Sequence, residues 1–196
     1  TATVGSSSGT VSGVAAGVAV ITYTLGGSCI STRSMTVNPS PSPITGPASV
    51  CVTNSIVLSD TSAGGMWSSV NTAIGTVGAL TGVVTGIVPG VDTIRYTALS
   101  GCYVFASVTV NPLPVITPYT SVYAGGTTTL GSYSGPGTWS SGSPGIATVG
   151  STTGVVTGVS VGMATITLYA GGCMNTIAVN VVPQQAPQII TTIAGT

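Results

Sequence analysis

Very few side chains in this chain could do acid–base, nucleophilic or metal chemistry. Its 196 residues carry four charged side chains, Arg33, Arg95, Asp60 and Asp92, and no His, Lys or Glu. General acid–base catalysis needs titratable groups within reach of one another. The two carboxylates do not recur at equivalent points of the chain, where Ser132 and Ala164 stand instead. Ser, Thr and Cys nucleophiles have no His or Lys beside them to act as a base. Cys29, Cys51, Cys102 and Cys173 are widely spaced, without the close pairs that structural metal sites use. The Gly125-Gly126 turn has no following Lys, so it does not read as a phosphate cradle. These residues predict no catalytic, cofactor-binding or metal-binding set, and hence no enzyme.

Charge excludes further classes. A charged fraction of 2% and a net charge of zero leave no basic footprint for nucleic acid and no polybasic patch for a membrane surface. The chain is nonetheless 43% hydrophobic, with a mean hydropathy of +0.64, unlike a disordered, charge-rich segment. The most apolar run, Val14–Leu25, is broken by Gly17, Thr22 and Thr24 and reads as a strand and its turn rather than a membrane span. With almost no surface charge to keep copies apart, self-association is expected.

The elements that position these residues come from a repeat. Ala147–Cys173 has near-copies at Gly75–Cys102 and Ala2–Cys29. Trp67 and Trp139 stand 72 residues apart, as do Gly86 and Gly158, while Gly13 to Gly86 and Cys29 to Cys102 are each 73. Such a period decides the architecture. It divides the chain into residues 1–43, the C-terminal half of a repeat; 44–115 and 116–188, two full repeats; and 189–196, the first strand of a further one.

Val, Ile, Thr, Ser and Gly dominate, which is strand and turn chemistry. Seven short strands are expected in the first full repeat: Thr45–Cys51, Ser55–Ser59, Gly65–Ser69, Gly75–Val77, Gly82–Ile87, Thr93–Thr97 and Tyr103–Val110. Their counterparts in the second include Gly137–Ser141, Gly154–Val159, Ala164–Tyr169 and Met174–Val182. In Ala164-Thr165-Ile166-Thr167-Leu168 apolar and threonine side chains alternate, as in a half-buried strand. Seven strands separated by turn signals describe a two-sheet sandwich. The Pro-rich segments Asn38–Pro43, Asn111–Pro114 and Pro183–Pro187 read as short, semi-rigid linkers.

Trp139-Ser140-Ser141, Ala147–Gly150, Gly154–Val159 and Gly162–Thr167, with their copies, resemble bacterial Ig-like domains of group 2. The resemblance covers essentially the whole chain and implies all-β, tandem immunoglobulin-like antiparallel sandwiches in secreted or surface proteins, without a shared catalytic site. It is similar to the very long repeat proteins of Bacteroidota-type bacteria. In such a sandwich the first and last strands are neighbours, which implies a Cys51–Cys102 disulfide. Tyr123 replaces Cys51 in the second full repeat, leaving Cys173 as a free or interchain thiol, and Cys29 likewise. Trp67 and Trp139 are expected in the cores. Asp92-Thr93-Ile94 resembles an O-glycosylation signal of the same bacteria.

Thr1 opens in the middle of a repeat, as in a processed or partial segment of a longer chain. The half repeat at 1–43 would expose a core face unless a neighbour covers it. The expected function is a structural one: an extracellular fibre or cell-surface stalk, a homopolymer joined through its repeat ends by strand addition. The alternative is an adhesin-type module for glycan or protein, favoured by an exposed aromatic patch around Tyr119, Tyr123 and Tyr133.

Overall fold

The computed structural model describes residues 1–117 and 120–184. Two compact units are formed, Thr1–Val110 and Asn111–Thr196. In the first unit the half repeat contributes β1 (Ala2–Val4), β2 (Val11–Gly13), β3 (Gly17–Leu25) and β4 (Cys29–Val37). The first full repeat adds β5 (Ser49–Cys51), β6 (Ser55–Val57), β7 (Met66–Ser69), β8 (Gly75–Val77), β9 (Val83–Gly86), β10 (Gly90–Thr97) and β11 (Tyr103–Asn111). The second unit holds β12 (Ser121–Tyr123), β13 (Thr127–Thr129), β14 (Thr138–Ser141), β15 (Ala147–Val149), β16 (Val155–Gly158), β17 (Gly162–Ala170) and β18 (Cys173–Val182).

Each full repeat is a pair of sheets. In the first the orders are β5-β11-β10-β7 and β6-β9-β8, and in the second β12-β18-β17-β14 and β13-β16-β15. Alternation along β10 explains the layering. Asp92, Ile94 and Tyr96 are buried and Thr93, Arg95 and Thr97 are only partly so. The inward residues meet Leu58, Trp67, Val84, Val108 and Val110 in one core. Trp139, Val156, Ile166, Leu168, Val179 and Val181 belong to the core of the second repeat. Burying an Ile such as Ile94, which is fully inaccessible, contributes about 1.5–3 kcal/mol.

The tryptophans also account for the glycine that opens the Gly-Val-Val-Thr-Gly motif. Gly82 and Gly154 end the turns before β9 and β16 at φ +67° and +68°, a region that costs other residues roughly 1–2 kcal/mol. A Cβ on Gly82 would lie 2.4 Å from Leu58 O and 3.1 Å from Trp67 Cε2, and Gly154 is crowded the same way by Leu130 and Trp139. Backbone and space both demand glycine there.

Two expectations about the first strand need correction. The expected strand Thr45–Cys51 is split: Thr45 bridges Ser59, and the chain then changes sheets to form β5 beside β11. Gly46, at φ +134°, with Pro47 behind it, makes that crossing. The sandwich is also not wholly antiparallel. β12 runs parallel to β18, with Tyr123 opposite Val182, because this strand enters along the last strand rather than returning from it in a hairpin.

Candidate functional site

The cysteines are placed differently from the Cys51–Cys102 expectation. Cys51 and Cys173 are disulfide-bonded, whereas Cys102 and the exposed Cys29 carry free thiols. The geometry of the first strand explains the difference. Thr109 N–H donates to Ala48 O at 2.9 Å, and a Cβ at Gly86 would touch both Val110 Cγ1 and Cys51 O. Cys51 therefore lies beside the end of β11, while Cys102 precedes its start. Eight residues of extended strand separate those positions, roughly 26 Å, against the ~7 Å Cα separation that a disulfide tolerates. The expectation of a free or interchain Cys173 also fails: it is bonded, and buried at 1% exposure.

The carboxylates are held in structural hydrogen bonds. Asp92 is buried, accepting from Ser69 Oγ at 2.7 Å and from Asn71 N–H at 3.0 Å. Asp60 Oδ1 accepts from Ser62 N–H at 2.7 Å. Thr93, next to Asp92, is half-buried in the interior strand β10, an unfavourable place for a sugar. Among the described residues no group of three or more His, Cys, Asp or Glu could hold a metal ion. No helix among them is long and apolar enough to cross a membrane.

The half repeat shows an open inner face. β3 pairs with β4, and β1 with β2, as two-stranded sheets. By the 73-residue offset, Ile21 and Tyr23 correspond to Ile94 and Tyr96. Tyr96 is 5% exposed, whereas Tyr23 is 64% exposed, and Ile21 is half-buried. Among the described residues, no strand takes the places that β5, β6 and β7 occupy in the full repeat.

Of the expected aromatic patch, Tyr119 lies outside the described residues. Tyr123 and Tyr133 are both exposed. A different cluster is on the outer face of the β7-β10-β11 sheet, and it was not expected from the sequence. Strand register builds it as two rows: Ser68, Arg95 and Phe105, then Met66, Thr97 and Tyr103. Tyr103 and Phe105 meet edge to face at 5.3 Å between centroids. The Arg95 guanidinium carbon is 4.9 Å from the Tyr103 ring centre, and Arg95 Nε donates to Thr97 Oγ1 at 2.9 Å. Beside the cluster is an open groove of about 360 Å³, lined in part by Met66, Ser68, Arg95, Thr97 and Leu99.

No protein-family model matches the chain, and no curated protein does. Among solved structures it is similar to the C-terminal 282-residue fragment of intimin, determined in complex with the intimin-binding domain of the translocated intimin receptor. Identity is 19% and the TM-score 0.51, over 74% of this chain. This chain spans 64% of the intimin fragment's length. Domains 4 and 5 of the S-layer protein SbsC match at 20% identity and TM-score 0.35, over 74% of this chain and all of that one. The insect immune protein hemolin matches at 16% and 0.34, over 85% of this chain and 56% of that one. Two facing sheets in each full repeat, their strand order and the likeness to intimin make the fold an all-β, immunoglobulin-like sandwich repeated along the chain.

Proposed function

We propose that this is a non-catalytic, extracellular structural protein of group 2 bacterial Ig-like type, whose repeats at 44–115 and 116–188 build a fibre or a cell-surface stalk. The observation that carries the reading is one sandwich repeated along the chain with the same strand order in both full repeats; the half repeat in addition leaves an inner face uncovered, with Tyr23 in solvent where Tyr96 is buried. Such a face and its sheet edges invite strand addition. Strands equivalent to β5, β6 and β7, from a neighbouring copy or from further repeats of the same polypeptide, complete residues 1–43 into a sandwich. Residues 189–196, outside the described residues, match the start of such a set by sequence. Where the strands come from a neighbouring copy, the contact is head-to-tail and propagates as a filament unless its rotation closes a ring. Electron microscopy of untreated native material tests it: regular filaments or stalks support the reading, and isolated monomers refute it.

A second reading, an adhesin-type module for glycan or protein, is favoured by the Arg95–Tyr103–Phe105 face. The intimin fragment is likewise a receptor-bound protein by its own description.

A further inference from the structure

The outer face of the β7-β10-β11 sheet carries more than the fold requires, and the other copies of the repeat show it. In register, Arg95 stands opposite Phe105. The equivalent pair is Thr167 opposite Thr176 in the second full repeat and Thr22 opposite Thr32 in the half repeat. Threonine on both strands is thus the ordinary filling of this outward position, well suited to an exposed sheet surface. One repeat departs from it at both positions together, placing a cation and an aromatic ring where two hydroxyls stand elsewhere.

The departure is not compensated inside the chain. Arg33 and Arg95 are the two cationic side chains, and Asp60 and Asp92 the two carboxylate ones. Asp92 points into the core, bound to Ser69 and Asn71, and Asp60 accepts from Ser62. Arg95 has the Tyr103 ring and Thr97 Oγ1 as neighbours, and no carboxylate among the described residues. With Nε spent on Thr97, the two Nη groups remain, a fork that matches a carboxylate bidentately. Around it Tyr103 and Phe105, each about half exposed, offer broad apolar ring surface. Ser68 and Thr97 add hydroxyls at the groove.

We propose that this face binds an acidic polysaccharide, with Arg95 taking the carboxylate of a uronic acid unit and Tyr103 and Phe105 packing against the C–H faces of the sugar rings. The groove's hydroxyls then meet sugar hydroxyls. A peptide strand is the poorer fit. β7 is the edge of its sheet, but Trp67 N–H is already bonded to Ala79 O at 2.9 Å, so the edge beside the groove is partly used. Charge complementarity and a ring-sized apolar surface together select a sugar that carries a carboxylate. The inference is independent of filament formation, and its test does not use polymerisation as a readout.

The test is titration of the full chain with oligogalacturonate, its methyl ester and polyglutamate, by calorimetry at low salt. Saturable binding of oligogalacturonate is expected. Loss of roughly tenfold or more in affinity is expected for the methyl ester and for the Arg95→Thr/Phe105→Thr variant. That variant installs the pair found in both sister repeats, so its fold is expected to be preserved, with melting as the check. Thr167→Ser/Thr176→Ser, on the sister repeat, should bind like the parent. Should the double variant unfold, Arg95→Gln, which removes the charge and keeps most of the aliphatic stem, carries the same expectation. The proposal is overturned by no binding of oligogalacturonate, by equal binding of the ester, by an unaffected variant, or by equal binding of polyglutamate, which would mark a site for charge alone.

Discussion

Gly75 and Asp92 face one another in the first full repeat, and replacing either alone should be harmful, while replacing both should cost less than the sum of the two. A Cβ on Gly75 would sit 3.2 Å from Asp92 Oδ2 and 3.4 Å from Thr85 O. Asp92 cannot swing away cheaply, because Ser69 and Asn71 hold it. Overpacking of this kind costs about 1–3 kcal/mol, offset by the ~0.5–1 kcal/mol that Ala gains over Gly in a strand. Gly75→Ala should therefore destabilise by up to about 2.5 kcal/mol. Asp92→Ala opens a void and removes two hydrogen bonds, at about 1–3 kcal/mol.

The second full repeat shows the alternative solution, with Ala147 and Ala164 at these places, both fully buried. There Ser141 Oγ donates to Ala147 O at 2.6 Å and accepts from Ser143 N–H at 3.2 Å, so a serine replaces the carboxylate as the turn's partner. Ser69 is the equivalent serine. In the Asp92→Ala background an alanine at 75 fills space rather than colliding, and its sign should reverse. The expected coupling is about 1–3 kcal/mol in favour of the double variant. Urea denaturation with hydrogen-exchange mass spectrometry over β7 to β10 measures all four proteins. If Gly75→Ala has the same effect in both backgrounds, within about 0.5 kcal/mol, the reasoning is wrong.

Other outcomes follow from single features. Alkylation of the unreduced, unfolded chain followed by peptide mapping should label Cys29 and Cys102 and spare Cys51 and Cys173. Cys51→Ser should lower stability by roughly 2–4 kcal/mol, and Cys102→Ser should change it little. Gly82→Ala combines a positive φ with a Cβ 2.4 Å from a carbonyl oxygen, and should cost about 3 kcal/mol or more, seen in melting. Gly101→Ala, at φ +84° with nothing within 4 Å of the added Cβ, should cost only the backbone penalty of about 1–2 kcal/mol. Without His, Lys or Glu, melting temperature should move by no more than ~2 °C between pH ~5 and ~8.

Local features of this fold were readable from sequence, and features set by distant strands were not. The expected strand Gly75–Val77 matches β8, and Gly65–Ser69 overlaps β7, because period-2 alternation and turn glycines are local signals. The direction in which β5 joins β11 is not local. It depends on the crossing at Gly46-Pro47, and reading the first strand as one piece with no defined direction led to the wrong partner for Cys51. The partners of Asp92 are not legible in the sequence, since nothing near it shows that Ser69 and Asn71 turn toward it. The Arg95–Phe105 pair was legible in principle, by comparing outward positions across the copies. Which face of the strands those positions occupy depends on the pairing of β10 with β11, which is not a local signal.

The copies of the repeat differ in one way at inward positions and in another at outward ones. Inward positions change as matched sets: Gly75 with Asp92, Ala147 with Ala164, and, by the same offset, Ala2 with Ala19. That is the behaviour of a close-packed interior, where one added atom must be offset by another removed. Outward positions face no such constraint, yet Thr recurs at the Arg95 and Phe105 positions of both other copies. Across from this position Ser68 and Ser140 are the same residue type in both full repeats, while the adjoining row changes as well, from Met66, Thr97 and Tyr103 to Thr138, Tyr169 and Met174. A substitution that the core neither needs nor notices, and that places one of the chain's two cationic side chains beside an exposed ring, is therefore better explained by something outside the chain than by the stability of the sandwich.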